Sequence, residues 1–200
     1  MGRKKAYDRK EVLEKALELF WMKGYEGTHL QELVDHTGLN RFSLYKEFGG
    51  KEGLFDSAMG LYVERAMEIL DHLKVEPLGT DNIITFFRET STMFMRQGCF
   101  AINTFSEKNL ISKQTYERTQ QWGPQFEAEL EKNLLASRDR GELRDGVDIP
   151  STIKFLAAVD TGTVTMSINC NEETIHQIVK TIEMFIDTIR VPEAAQATSS

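Results

Sequence analysis

The sequence is poor in the residues that mark several classes of protein. Only two of its 200 residues are cysteine and only four are proline. Cys99 and Cys170 lie far apart, so they fit neither a disulfide scaffold nor a zinc-ligand spacing and favour a reducing compartment. The four histidines include no i, i+4 pair. We therefore expect no metal site and no cofactor.

Long hydrophobic runs are also missing. No segment approaches the roughly 18 uninterrupted apolar residues of a membrane span. The basic start MGRKKAYDRK is followed by no apolar run, which argues against a secretory signal. The sequence contains no nucleophile–base pattern and no glycine-rich phosphate loop. We expect a cytoplasmic protein with no membrane partner and no enzymatic activity.

Charge is distributed unevenly along the chain. The sequence has 24 Lys+Arg, 31 Asp+Glu and a net charge of −7. Residues 1–56 hold ten of each sign, so 14 basic and 21 acidic residues remain in 57–200. Residues 3–5 add a basic arm at the front. This asymmetry predicts two parts with different partners.

Apolar residues recur at helical spacing through most of the sequence, so the predicted fold class is all-α. Within THLQELVDHTGLNRFSLYKEF, residues 28–48, Thr28 and Gln31 predict a capping box that starts one helix. Gly38 should end that helix, and Asn40 can cap the next one. Two short helices joined by a tight turn containing glycine predict a helix-turn-helix, whose second helix can enter the DNA major groove.

The second helix of this pair carries side chains suited to DNA. If Leu44 and Phe48 point inward, its basic and aromatic residues are free to point outward. Arg41 suits guanine and Phe42 suits a thymine methyl, whereas Lys46 and the Tyr45 hydroxyl suit phosphates. The predicted DNA-binding residues are Thr28, His29, Asn40, Arg41, Phe42, Ser43, Tyr45, Lys46 and Lys51. The alternative from these residues alone is an ordinary helical hairpin with a solvated face.

Residues 16–55, ALELFWMKGYEGTHLQELVDHTGLNRFSLYKEFGGKEGLF, resemble the N-terminal domain of TetR-type (TetR/AcrR) transcriptional regulators. The resemblance lies in A-x-x-L-F-x-x-K-G-Y-E-x-T, then G-L-N-R, then L-Y-x-x-F-x-x-K-E-x-L. It aligns Thr28 and Lys51 with the family's phosphate contacts and places Arg41, Ser43 and Tyr45 in the recognition helix.

Three positions depart from the family pattern. Gly50 stands where a capping Ser, Asn or Asp is common, so we expect a loose start to the fourth helix. Phe42 replaces a residue that is usually small, which leaves the base contacts open. Glu47 places an acid close to DNA and should point aside.

The resemblance also implies a division of the chain. It predicts a three-helix helix-turn-helix DNA-binding domain over residues 6–52. A helix over residues 51–73 links it to a helical ligand-binding and dimerisation domain over 53–190. Residues 191–200 are small and polar, and they predict a disordered tail.

Ligand contacts are predicted among aromatic, sulfur-containing and polar residues of the second domain. These are Phe86, Phe87, Thr90, Met93, Phe94, Cys99, Asn103, Tyr116, Trp122, Phe126 and Asp160. GCFAINTFSE is similar to a Gly-Cys…Asn…Glu segment in one subset of the family, which implies that Cys99 lines the cavity or senses an electrophile. The alternatives are a buried hydrophobic role for Cys99 and, for Asp160, a hydrogen bond at an interface.

Two helices near the end of the sequence predict a dimer. The interface residues expected from their apolar stripes are Phe155, Val159, Gly162, Thr163, Ile175, Ile178, Val179, Ile182 and Ile186. Two such helices from each subunit would pair as a four-helix bundle. The alternative is an internal core stripe, because any buried helix shows this spacing.

The predicted function is a homodimeric, ligand-responsive transcriptional repressor that binds a palindromic operator in double-stranded DNA and is released by a small-molecule inducer. One alternative is a DNA-binding family member without a metabolite ligand, acting as an architectural or protein-partnered factor. Another is a helical enzyme that uses Cys99.

Overall fold

A computed structural model describes residues 7–192, and its helices confirm the all-α fold class. The basic arm at residues 3–5 and residues 193–200 of the predicted tail lie outside the described residues. The helices are α1 Arg9–Gly27, α2 Leu30–Thr37, α3 Arg41–Phe48, α4 Lys51–Ile69, α5 Thr80–Thr90, α6 Phe100–Asn103, α7 Lys113–Thr119, α8 Trp122–Asp139, α9 Ile149–Met166 and α10 Glu172–Ile189, with 3-10 turns at Leu70–Lys74 and Thr104–Glu107.

Contacts between Cα atoms divide the chain into two compact units. Of the described residues, the first unit comprises 7–66 and 99–121, and the second comprises 67–98 and 122–192. Residues 99–121 therefore fold with the N-terminal segment, although they follow it by more than thirty residues in sequence. The functional division at residue 52 that the sequence suggests stays a prediction.

The first unit is built around aromatic rings. The Phe20 and Phe55 ring centroids are 4.8 Å apart, edge to face. Phe100 extends the cluster, 5.5 Å from Phe55 and 5.6 Å from Tyr62. Edge-to-face pairs of this kind each add about 0.5–1.5 kcal/mol beyond the burial of their area. The ring of Phe100 therefore ties residues 99–121 to the N-terminal helices.

Side chains and glycines at the helix ends explain where α1 to α3 begin and stop. Asp8 caps α1 by accepting a hydrogen bond from the Lys10 amide at 2.8 Å. Gly38, with φ +71°, ends α2 in the left-handed conformation that glycine adopts without strain. The capping box predicted from Thr28 is wrong by one residue, because His29 is the N-cap and its amide donates to the Glu32 carboxylate at 3.0 Å.

The second unit packs α5, α8, α9 and α10 around a separate apolar core. Its centre includes Phe86, Phe87, Phe126, Leu130 and Ile182, all almost fully buried. Two backbone hydrogen bonds hold the C-terminal end of α10. Arg144 donates its backbone N–H to the Ile189 carbonyl, and the Val191 N–H donates to the Glu142 carbonyl at 2.8 Å. The chain is thus still held at Val191, where the predicted tail begins.

Among residues 7–192, no helix combines the length and the apolar character needed to cross a membrane. The same residues contain no group of three or more His, Cys, Asp or Glu side chains placed to hold a metal ion.

Candidate nucleic-acid interface

Helix α3 separates its apolar and polar side chains as the sequence predicts. Leu44 is fully buried and Phe48 almost so. Arg41 and Lys46 are exposed, and Phe42 is 77% exposed although it is a large apolar residue. An exposed phenylalanine beside two cations gives this helix a surface suited to base edges and phosphates.

The N-terminal end of α3 is fixed by its cap. The Asn40 side-chain oxygen accepts a hydrogen bond from the Ser43 amide at 2.9 Å, which confirms the predicted N-cap. The cap engages this oxygen of Asn40 and leaves Arg41 and Phe42, the next two residues, exposed at the start of the helix.

Tyr45 and Gly50 shape the other end of α3. Gly50 has φ +112°, and a Cβ atom there would lie 3.1 Å from Cε1 of Tyr45. Glycine at this position therefore allows both the backbone turn and the packing of the tyrosine ring. Tyr45 is still half exposed. The departure from the family's capping residue thus has a local steric reason.

Thr28 lies in the turn before α2 and is fully buried. Its hydroxyl donates to the Gly24 carbonyl at 2.7 Å, and its amide donates to the Tyr25 carbonyl. The hydroxyl is therefore committed within the protein, so a contact with phosphate must involve the surrounding backbone. His29, the next residue, is exposed.

Lys51 opens α4 and lies over an aromatic ring. Its Nζ atom is 4.4 Å from the centroid of the Tyr25 ring, within cation–π range. Partial burial lowers the pKa of Lys51 from the usual lysine value, and the negative charges of Glu107 and Glu26 oppose that shift. The ammonium group is held in place by the ring rather than extended freely into solvent.

Glu107 is a residue of this region that the sequence reasoning missed. Its two carboxylate oxygens accept hydrogen bonds from the backbone amides of Tyr25 at 2.7 Å and Glu26 at 2.8 Å. The residue is visible in the sequence as the last of GCFAINTFSE. Its partners lie more than eighty positions earlier, and no local pattern connects the two segments.

The predicted ligand residues are divided between the two compact units. Cys99, Asn103 and Tyr116 belong to the first unit, where the Cys99 sulfur accepts a hydrogen bond from the Tyr62 hydroxyl at 2.9 Å. The other predicted ligand residues belong to the second unit and are Phe86, Phe87, Thr90, Met93, Phe94, Trp122, Phe126 and Asp160.

Within the second unit, several of these residues are core residues. Phe87 and Phe126 are buried, with ring centroids 6.4 Å apart. Thr90 is also buried, and its hydroxyl donates to the Phe86 carbonyl at 2.7 Å. Met93, in contrast, is 58% exposed.

Asp160 and Trp122 form the most distinctive polar pair of the second unit. Burial raises the pKa of Asp160 from 3.8 to about 7, and a hydrogen bond with the Trp122 side chain opposes the shift. The Trp122 ring stacks on Phe126, with centroids 5.7 Å apart. An ionisable carboxyl therefore lies beside aromatic rings in this unit.

The residues predicted at the dimer interface fall into two groups. Five are buried within the protomer itself: Thr163, Ile175, Val179, Ile182 and Ile186. Phe155 is 45% exposed, and Val159, Gly162 and Ile178 are half-buried. The same two helices also expose Met166 and Met184, which the sequence reasoning missed. Of the predicted interface residues, the second group presents apolar surface outward, and so do these two methionines.

The helical pair α2–α3, with a capped and outward-facing second helix, defines a helix-turn-helix DNA-binding protein. The profile of the family described as "Bacterial regulatory proteins, tetR family" matches residues 12–58. The chain belongs to this TetR family of transcriptional regulators.

Two relatives match most of the chain. The HTH-type transcriptional repressor ComR of Escherichia coli (strain K12) is 31% identical over 177 residues, which are 86% of this chain and 83% of ComR. The uncharacterized HTH-type transcriptional regulator YezE of Bacillus subtilis (strain 168) is 32% identical over 162 residues, which are 78% of this chain and 84% of YezE.

Solved structures share the fold. A TetR transcriptional regulator from Chloroflexus aurantiacus superposes with a TM-score of 0.80 at 24% identity, covering 92% of this chain and 96% of that one. A cysteine mutant of the TetR-family regulator CifR, complexed with 26-base-pair double-strand operator DNA, gives a TM-score of 0.72 at 24% identity, covering 90% and 97%.

Proposed function

We propose that this protein is a cytoplasmic transcriptional repressor that binds a palindromic operator as a homodimer and is released by a small-molecule inducer. The observation that carries the proposal is the outward face of α3, where Arg41 and Phe42 follow the Asn40 cap and are exposed. In helix-turn-helix proteins, this end of the second helix meets the base edges.

Base reading and phosphate binding fall to different side chains. Arg41 is suited to bidentate hydrogen bonds with guanine O6 and N7, and Phe42 to contact with a thymine methyl group. Lys46 and the half-exposed Tyr45 are placed for phosphates on the same helix. Lys51 adds a positive charge at the start of α4, where helix amides also attract anions.

Dimerisation is proposed through the outward face of α9 and α10. Phe155, Val159 and Gly162 are spaced along α9, with Ile178 and Met184 on α10. A twofold pairing of these helices would present two copies of α3 to one duplex. If the half-sites lie one helical turn apart, the two copies of α3 must be separated by about 34–36 Å.

The inducer is proposed to bind in the second unit, near Trp122 and Asp160. Aromatic surface with a small number of polar groups is the usual lining of a small-molecule site. Because the pKa of Asp160 is about 7, its carboxyl can donate or accept a hydrogen bond near neutral pH. The inducer acts only through a difference in its affinity for the DNA-bound and released states.

Footprinting with the purified protein on the DNA that flanks its own gene tests the proposal. We expect protection of a palindrome, which one of a panel of small molecules abolishes. Protection that no compound changes would favour a family member without a metabolite ligand. Absence of protection at low ionic strength would contradict the DNA-binding function.

A further inference from the structure

The backbone of α1 is interrupted at Gly24. This residue has φ +73° and ψ 175°, far from helical values. A break in a helix leaves the amides that follow it without their usual carbonyl partners. Those amides belong to Tyr25 and Glu26, and both donate to the carboxylate of Glu107. One acidic side chain thus caps the second part of α1.

Gly24 accommodates this carboxylate closely. A Cβ atom at position 24 would lie 3.0 Å from each carboxylate oxygen of Glu107. The positive φ therefore favours glycine at this position, and any added side chain would also push the carboxylate away from its present place. The Gly24 carbonyl in turn accepts the Thr28 hydroxyl at 2.7 Å.

Two predicted phosphate contacts depend on this turn. Thr28 is bonded to Gly24 through its hydroxyl and to Tyr25 through its amide. The ring of Tyr25 lies under the Lys51 ammonium at 4.4 Å. Glu107 holds the backbone of Tyr25 directly. The carboxylate therefore restrains Thr28 and Lys51 through contacts that are all within the first unit.

Long-range electrostatics predict the opposite effect from such restraint. A carboxylate near phosphates repels them, so removing it should strengthen binding to any duplex. If Glu107 instead fixes the turn, removing it should weaken binding despite the loss of a negative charge. The sign of the change separates the two effects.

We propose that Glu107 is a positioning residue for DNA binding: it caps the Gly24 kink and thereby places the backbone at the start of α2 and the Lys51 ammonium group against the phosphate backbone. The inference rests on the proposed function, which supplies the DNA contacts. It assigns a role to the acid at the end of GCFAINTFSE, a segment outside the helix-turn-helix.

The test compares Glu107→Ala and Glu107→Gln with the matched control Asp56→Asn. Asp56 also lies in the first unit, and its carboxylate accepts hydrogen bonds from Thr115 at 3.0 Å and Arg118 at 3.1 Å. The control therefore removes one negative charge and weakens two contacts with residues 99–121, but it leaves the Gly24 turn intact. Glu107→Gln preserves the side-chain volume and one acceptor oxygen if the alanine variant does not fold.

Binding to a fluorescent random-sequence duplex is measured from about 50 to 200 mM salt, the range in which phosphate contacts dominate affinity. We expect the Glu107 variants to bind about tenfold more weakly than the wild type. The slope of log affinity against log salt concentration, called the salt slope, should be reduced in magnitude by about one. Asp56→Asn should bind as well as the wild type or slightly better. Lys51→Ala alone should lower the slope by about one, and its effect should be smaller when Glu107 is already replaced.

Hydrogen exchange at the Tyr25 and Glu26 amides gives a readout that needs no DNA. Exchange should accelerate in the Glu107 variants and stay unchanged in Asp56→Asn. Suppose that folded Glu107 variants bind DNA at least as tightly as the wild type, with an unchanged dependence of affinity on salt. That result would overturn the inference about Glu107 but not the proposed function. A wild-type protein that ignores every duplex would remove the proposed function, and the inference with it.

Discussion

Arg41 is the side chain on which we expect base reading to depend most. It is exposed at the first turn of α3, immediately after the Asn40 cap. We expect Arg41→Ala to weaken binding to the cognate operator by about 1–3 kcal/mol and to relax specificity at one base pair. Competition assays with operators substituted at each position provide the measurement. Equal losses on all sequences would assign Arg41 to the phosphates instead.

The raised pKa of Asp160 predicts that the stability of the protein depends on pH. The folded-state pKa of about 7 lies above the usual aspartate value of 3.8. Below about pH 4 both states hold the proton, whereas between 4 and 7 the unfolded state releases it first. The contribution of Asp160 to stability therefore falls as pH rises through this window and stays low above it.

Asp160→Asn should remove this dependence while keeping an acceptor for Trp122. We compare the free energy of unfolding of the variant with that of the wild type. We expect this difference to shift in favour of the variant from pH 4 to pH 8, on the order of 1–4 kcal/mol, because each pKa unit corresponds to about 1.4 kcal/mol. Urea denaturation at both pH values measures the gain. A difference that does not change with pH would mean that the carboxyl is hydrated and titrates normally.

At the scale of the element, the kink of α1 depends on Gly24. Gly24→Ala places a side chain at φ +73° and within 3.0 Å of the Glu107 carboxylate. We expect it to destabilise the protein by about 1–3 kcal/mol, since a positive φ combined with an extended ψ is accessible almost only to glycine. The midpoint of urea unfolding gives the value.

Gly60→Ala is the control for this substitution. Gly60 lies within α4, and a Cβ atom there would lie 3.7 Å from its nearest neighbour, Nη1 of Arg118, which is an ordinary van der Waals distance. Alanine is favoured over glycine in a helix, so this variant should be neutral or more stable by up to about 1 kcal/mol. Similar losses in both variants would show that the left-handed turn is not the cause.

The helix-turn-helix was predictable because its determinants are local. The Asn40 cap, the Gly38 stop and the inward positions of Leu44 and Phe48 all follow from spacings of a few residues. The start of α2 was misplaced by one residue because Thr28 and His29 each have an acidic or amide residue three positions later. The cap at Gly24 was not predictable, since its acceptor comes from a distant segment.

For the whole molecule, the strongest prediction is that outward apolar residues of α9 form the dimer. Phe155→Glu places a charge on this face, and we expect it to convert a dimer into a monomer. Loss of bivalent binding should weaken affinity for a palindrome by about a hundredfold or more. Sedimentation equilibrium and operator titration measure the two effects.

Val75→Glu provides a control on another exposed apolar side chain. Val75 follows the 3-10 turn Leu70–Lys74 and is outside α9 and α10. We expect this variant to remain dimeric and to bind the palindrome normally. Dimeric Phe155→Glu protein would contradict the proposed interface.

At the scale of the whole molecule, sequence periodicity does not reveal the direction in which an apolar stripe faces. Ile175, Ile182 and Ile186 have helical spacing, but they pack within the protomer. Periodicity shows that a helix has an apolar side and does not show which neighbour covers it. The predicted interface is therefore reduced to its exposed members, with Met184 added.

The composition of the first unit from two separate stretches of chain has a consequence during synthesis. While a ribosome is still translating the intervening residues, the emerging N-terminal helices lack the ring of Phe100 and the carboxylate of Glu107. Prematurely terminated products that end before this return segment should therefore be poor competitors for genomic sites.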